Sequence, residues 1–107
     1  MKGRSPGGAP HGRSRHRTLQ LCAQVQEALA YALSECSSEV LQDLLVVAVE
    51  PAPDESHLLV VVQDTAAHGV ALVLAELDDA KGHLRHAVAE SIVRRRAPLL
   101  SFTVAPP

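Results

Sequence analysis

Positive charge at the two ends of the chain is the feature with the clearest chemical use. The amino-terminal segment carries basic residues and no acid: Lys2, Arg4, Arg13, Arg15 and Arg17. A second basic group lies near the other end, against the single acid Glu90: Lys81, Arg85, Arg94, Arg95 and Arg96. Residues 18–80 carry eleven of the twelve acids and no Lys or Arg. The net charge of -2 therefore conceals basic ends that suit a polyanion, with an acidic middle that faces elsewhere.

Gly82 lies where the surrounding pattern predicts a helix. The apolar residues on both sides fall on one helical stripe: Val70, Val73, Leu77, Ala80, Leu84, Val88 and Ile92. Because glycine costs a helix about 1 kcal/mol relative to alanine, we interpret Gly82 as a kink, a break or a close backbone approach. The alternative is that Gly82 caps a first helix and a second helix begins after it. Under either interpretation, backbone amides at the start of the second half would point toward an anion.

The remaining pattern predicts the elements that position these residues. Residues 1–16 are rich in Gly, Pro, Ser, Arg and His, so we expect a disordered basic arm, followed by one domain over residues 17–107. Within the domain we predict a helix, an antiparallel hairpin, a second helix started by an Asp64 or Thr65 cap and ended before Pro98, and a strand. The predicted ranges are 17–38, 44–50, 57–63, 67 to 95 or 96, and 99–104. This order predicts a small α+β fold with helices on one face of a three-stranded sheet.

The composition excludes several classes of protein. Tyr31 and Phe102 are the only aromatic residues, which argues against base stacking on aromatic platforms. Cys22 and Cys36 are fourteen positions apart in one predicted helix, or about 21 Å, so we expect two reduced, core-facing thiols. We find no signal peptide, and the longest aliphatic run, residues 44–49, is too short to cross a bilayer. We therefore expect a soluble, cytoplasmic protein without membrane contact.

Two segments resemble the ribosome-binding factor A family. They are Ala80-Lys81-Gly82-His83-Leu84-Arg85 and Arg94-Arg95-Arg96-Ala97-Pro98-Leu99-Leu100-Ser101-Phe102. The resemblance implies a KH-like fold of the type II topology, in which Ala80 and Gly82 form an Ala-x-Gly helix kink in place of the usual Gly-x-x-Gly loop. It further implies a non-catalytic assembly factor without a cofactor, which binds the immature small ribosomal subunit and its ribosomal RNA and assists late maturation.

The RNA-binding residues that we predict come from both basic ends and from the glycine. They are Arg13, Arg15, Arg17, Lys81, Gly82, His83, Arg85, Arg94, Arg95 and Arg96. We expect phosphate neutralisation and recognition of the shape of a folded RNA junction, and no binding to DNA. The alternative for Arg94–Arg96 is that they stabilise the negative end of a helix dipole.

Three other functions are alternatives to RNA binding. Both faces of the first two predicted strands are apolar, so the face without helices could bind a protein partner or form a dimer. The alternative function is therefore a protein-interaction or dimerisation module that does not bind RNA.

No nucleophile elbow, phosphate loop or dinucleotide glycine pattern is present, so we expect no enzyme activity. His83 and His86, even joined by His68, are interpreted as surface residues, and we expect no metal.

Overall fold

The computed structural model describes residues 8–52, 54, 56–92 and 96–106, with side chains from residue 16 onward. Its elements in chain order are α1 (Gly8–Ser34), α2 (Glu39–Gln42), β1 (Leu44–Pro51), β2 (His57–Asp64), α3 (Val70–Ser91) and β3 (Leu99–Val104). The predicted α+β order is confirmed, and β3 has the predicted bounds. The short helix α2 was missed.

Helix α1 differs from its prediction at both ends. It begins at Gly8, nine residues before the predicted start. An established helix gains one hydrogen bond for each residue added to it. Pro10 does not prevent this extension, because it lies in the first turn, where proline is tolerated. The helix ends at Ser34, before the predicted 38, and the Ser38 hydroxyl instead accepts a hydrogen bond from the Leu41 N–H as the N-cap of α2. The separation of an arm over residues 1–16 from the domain stays a prediction.

The sheet has the order β1-β2-β3. Strands β1 and β2 are antiparallel, with Leu44 opposite Asp64 and Pro51 opposite Leu58, which confirms the predicted hairpin. The register shifts between Val46 and Ala48, so β1 contains a bulge. Strands β2 and β3 are parallel, and α3 supplies the crossover between them that parallel neighbours require.

The core lies between the sheet and one helical layer. Alternate residues of β2 are fully buried, and they form one core cluster with the apolar stripes of α1 and α3. The fully buried residues are Val25, Leu29, Leu33, Leu58, Leu77, Leu84, Val60, Val62, Val73 and Val88. The predicted stripe of α3 is confirmed from Val73 to Val88, whereas Val70, the first residue of the helix, is 56% exposed, and Ile92, although buried, is the extended C-cap residue beyond the helix.

The two cysteines are free thiols, as we predicted. Cys22 is buried in α1, whereas Cys36 is partly buried and lies two residues beyond the end of that helix, so the prediction of one helix for both was wrong. Burial raises the pKa of both thiols, and the nearby Glu50 carboxylate raises that of Cys22 further. Both side chains are therefore held in the neutral form.

Candidate functional site

Gly82 lies inside a continuous helix. Helix α3 runs from Val70 to Ser91 without interruption, so the predicted break and the alternative helix cap at Gly82 are both wrong. Gly82 has no positive φ, and a Cβ atom placed there would meet nothing within 4 Å, which excludes a close backbone approach. The reason is that the apolar stripe continues through this position, and its burial offsets the helix cost of one glycine. A bend of the axis at Ala80 and Gly82 without a break stays a prediction.

The continuity of α3 also removes the predicted anion site at this point. The amides near Gly82 lie in the interior of a helix, where each N–H donates a hydrogen bond to the carbonyl oxygen one turn earlier. They are therefore not available to an anion. The candidate site must therefore be built from side chains.

Helical geometry divides the predicted basic residues of α3 between two flanks. Lys81 and Arg85 are four residues apart and lie on the same flank, and both are exposed. His83 is two residues from each, or about 200° around the axis, and lies on the other flank. The helix therefore brings Lys81 and Arg85 together and separates His83 from them.

A groove lies beside Lys81, between α3 and the free edge of β3. It has a volume of about 470 Å³. Its lining residues are Leu74, Ala75, Leu77, Asp78, Lys81, Ser101 and Phe102. Leu77 and the partly buried Phe102 connect it to the core, whereas Leu74 is 39% exposed. The groove thus has an apolar floor with one cation and one anion at its rim.

The Lys81 ammonium is available to a ligand. Within the described part of the chain it has no hydrogen bond or ion pair, although Asp78 lines the same groove. Arg85 is one turn further along α3 and is likewise without a described partner. We name Lys81, Arg85 and the lining residues of the groove the α3–β3 site.

The other predicted residues are placed less completely. Arg96 is exposed in the connection before β3, and Arg17 is exposed on α1. Arg13 and Arg15 lie in the first turns of α1, where only the backbone is described, and Arg94 and Arg95 lie outside the described residues. Of the ten predicted residues, the structure therefore places Lys81 at the groove and Arg85 one helical turn away on the same flank of α3.

The apolar lining of the α3–β3 site was missed in the sequence. The one signal was Leu74, an apolar residue outside the core stripe that lies on the same flank of α3 as Lys81. Phe102 could not be assigned to the same groove, because that requires knowledge that β3 pairs with β2 beside α3.

This arrangement of elements is found in solved structures. The crystal structure of ribosome-binding factor A from Thermus thermophilus is 32% identical, with a TM-score of 0.73, over 84% of this chain and 99% of that one. The chain belongs to the ribosome-binding factor A family. The suspected resemblance and the KH-like fold are thereby confirmed.

Two further structures are similar. One is a homology model of the Thermus thermophilus ribosome-binding factor A as fitted into the cryo-EM map of a 30S–RbfA complex, at 32% identity and a TM-score of 0.64, covering 77% of this chain and 88% of that one. The other is the NMR structure of a putative ribosome-binding factor A from Thermotoga maritima, at 21% identity and a TM-score of 0.68. It covers 94% of this chain and 91% of that one, and at this identity it supports the fold alone. No family model and no curated protein matches the chain.

The loop between β2 and α3 positions the start of the helix that carries the site. Neither predicted cap is the N-cap, which is Gly69. Instead, the Asp64 carboxylate accepts a hydrogen bond of 2.8 Å from the Gly69 N–H, and this bond lowers the pKa of Asp64. Thr65 donates through its hydroxyl to the Asp43 carbonyl. Ala67 has a φ of 54°, a conformation that favours glycine.

The three histidines considered as metal ligands do not converge. The His68 Nε2 lies 2.8 Å from the Asp43 Oδ2, and the His86 Nε2 lies 3.5 Å from the Glu90 Oε1, one turn away on α3. Among the residues that the structure describes, no group of three metal-ligating side chains is assembled. In the same residues, no helix is long and apolar enough to span a membrane.

Proposed function

We propose that this protein is a non-catalytic ribosome assembly factor that binds the immature small ribosomal subunit, contacts its ribosomal RNA and assists late maturation. The observation that carries the proposal is the 32% identity to the Thermus thermophilus factor over 99% of that chain. The presence of that factor in a 30S complex supports the choice of the small subunit as partner. The proposal includes no covalent step and no cofactor.

The α3–β3 site supports a physical mechanism for the RNA contact. Lys81 and Arg85 would bind neighbouring phosphates, because both are exposed, lie one turn apart and have no described anionic partner. The apolar floor beside Lys81 would receive the base of an unpaired nucleotide. Asp78 on the rim would disfavour any pose that brings a second phosphate into the groove.

The remaining predicted cations would extend this footprint. Arg96 is exposed just before β3, the strand that forms one wall of the groove, and it would bind a further phosphate. The amino-terminal group would add Arg13, Arg15 and Arg17. Because the midsection of the chain is acidic, these cations also restrict the orientations in which the protein can approach RNA.

The direct test is sedimentation of a cell lysate through a sucrose gradient. We expect the protein to migrate with free small subunits and to be depleted from assembled ribosomes. Migration only at the top of the gradient, in cells that are actively assembling ribosomes, would contradict the proposal.

A second candidate function is association with another protein through the face of the sheet that has no helices. Two large apolar side chains there are about half exposed: Leu45 at 52% and Leu99 at 51%, with Val47 beside the β1 bulge at 41%. Association through this face would tolerate salt, because it buries apolar area and neutralises no phosphate. Sedimentation equilibrium at low and high salt distinguishes the two functions.

A further inference from the structure

A second groove lies between α1 and the end of α3. It has a volume of about 470 Å³ and is lined by Gln24, Glu27, Ala28, Tyr31 and Ser91. Four of the five lining residues belong to one face of α1, at helical spacings of three and four. Its lining residues are entirely different from those of the α3–β3 site. We name it the α1 groove.

An exposed and oriented aromatic ring forms part of the α1 groove. Tyr31 is 69% exposed, which is unusual for the only tyrosine of a chain with so few aromatics. Its hydroxyl donates a hydrogen bond of 3.2 Å to the Glu35 Oε1, one turn further along. The bond restrains the side chain and leaves the ring face available for stacking.

Negative charge lies on both sides of that ring. Glu27 lies four residues before Tyr31 on α1, and Glu35, the first residue after the end of α1, lies four residues after it and accepts its hydrogen bond, so an acid stands on each side of the ring along the chain. Among the described residues, no Lys or Arg is paired with either carboxylate. Residues 18–80, which include both carboxylates, contain no Lys or Arg that could neutralise them within that segment.

We infer that the α1 groove binds an arginine-containing basic segment of a partner protein. A guanidinium stacks on a tyrosine ring and donates to flanking carboxylates, so an acid–tyrosine–acid arrangement is complementary to it in both shape and charge. The Gln24 amide offers a further donor and acceptor to the backbone of the bound segment. Phosphates of RNA would be repelled by the same carboxylates, which makes a basic peptide the better occupant.

The test uses the full chain and its own fluorescence. Because the chain has one tyrosine and no tryptophan, tyrosine emission reports Tyr31 alone. We expect a saturable change on titration with an arginine-rich peptide that lacks aromatic residues, and none with an acidic peptide of the same length. No saturable change with the basic peptide would overturn the inference. The α3–β3 site and the ribosome do not enter this experiment, so its failure is distinct from failure of the proposed function.

Matched variants locate the binding. Glu27→Gln with Glu35→Gln should weaken binding of the basic peptide about threefold to tenfold. Tyr31→Leu removes the fluorophore, so its affinity is measured by calorimetry, and it should fall about threefold. Glu39→Gln removes the same kind of charge from α2, outside the groove, and should change affinity less than twofold. Circular dichroism should show unchanged helix content in all of them. An equal loss in Glu39→Gln would indicate unspecific charge attraction and overturn the inference.

Two other occupants give distinct results. An unpaired RNA oligonucleotide that shifts the Tyr31 emission and displaces the peptide would assign the groove to a base and overturn the inference. A rise in peptide affinity on Arg94→Ala with Arg95→Ala would assign the groove to the chain's own arginines and would also overturn the inference.

Discussion

The α3–β3 site and the α1 groove have opposite chemistry although both adjoin the same helix. The first has Lys81 beside an apolar floor and Arg85 one turn away, both without a partner among the described residues, and the second has Glu27 and Glu35 on either side of an exposed tyrosine. A net charge of -2 therefore says little about the partners of this protein, because its charges lie on separate surfaces. One surface suits phosphate, and the other suits a cation.

The largest expected effect comes from the core that holds both surfaces in place. Leu84→Ala removes a fully buried side chain of α3 and should lower the free energy of unfolding by about 3 kcal/mol. Leu72→Ala, on the same helix but 46% exposed, should cost less than about 1 kcal/mol. Urea denaturation measures both. Equal losses would show that α3 does not pack as described.

The next effect separates the two flanks of α3. Lys81→Glu with Arg85→Glu should weaken binding to small subunits about tenfold or more, because two phosphate contacts become repulsive. His83→Glu introduces an acid on the opposite flank of α3 and should change binding by less than about threefold. Filter binding with purified subunits provides the comparison. If His83→Glu weakened binding as much as the double variant, the division of α3 into two flanks would have no functional meaning.

A smaller effect is expected at Gly82. Because this residue lies in the helix interior with no positive φ and open space around its Cα, Gly82→Ala should stabilise the domain by about 1 kcal/mol in thermal unfolding. If the predicted bend at Ala80 and Gly82 positions Lys81 and Arg85, the same variant should weaken association with the subunit while the domain stays folded. Unchanged association would remove Gly82 from the site.

The smallest effect concerns pH and the loop that leads into α3. The hydrogen bond from the Gly69 N–H lowers the pKa of Asp64, so the ionised carboxylate stabilises the fold above its unfolded pKa, and this contribution is lost as the pH falls through the folded pKa. Asp64→Asn should therefore flatten the acid side of the stability profile, measured by urea denaturation below about pH 5. Asp79→Asn, an exposed residue of α3, serves as the control. The pKa of Asp54 is also lowered, by hydrogen bonds from Ser56. Because Asp54 is present in every protein compared, its contribution to the acid profile is the same in all of them. Parallel profiles for Asp64→Asn and the original chain would contradict this role.

The elements that the sequence predicted well are those whose pattern decides their structure locally. Leu100, Phe102 and Val104 alternate with polar residues, and β3 has the predicted bounds because one face of an edge strand packs on the core. The buried stripe of α3 was predicted from its period for the same reason. The start of α1 was not predicted, because its Gly- and Pro-rich first turns have no apolar residues at helical spacing.

The candidate site was predicted only in part, because it depends on contacts between distant segments. Lys81 and Arg85 were chosen from charge, but the groove beside Lys81 exists only because parallel pairing with β2 places Phe102 beside α3. The role of Asp64 depends on the path of the loop, in which Ala67 adopts a left-handed conformation that sequence pattern does not indicate. The α1 groove was missed because Ser91 contributes to it from another helix.

Salt dependence tests most directly the proposed binding of small-subunit phosphates by the cations of α3. Affinity of the purified chain for purified small subunits should fall steeply as salt is raised, and Lys81→Ala should reduce the slope of log K against log salt by about 1. An affinity that is nearly flat in salt, or a slope that Lys81→Ala leaves unchanged, would contradict the account.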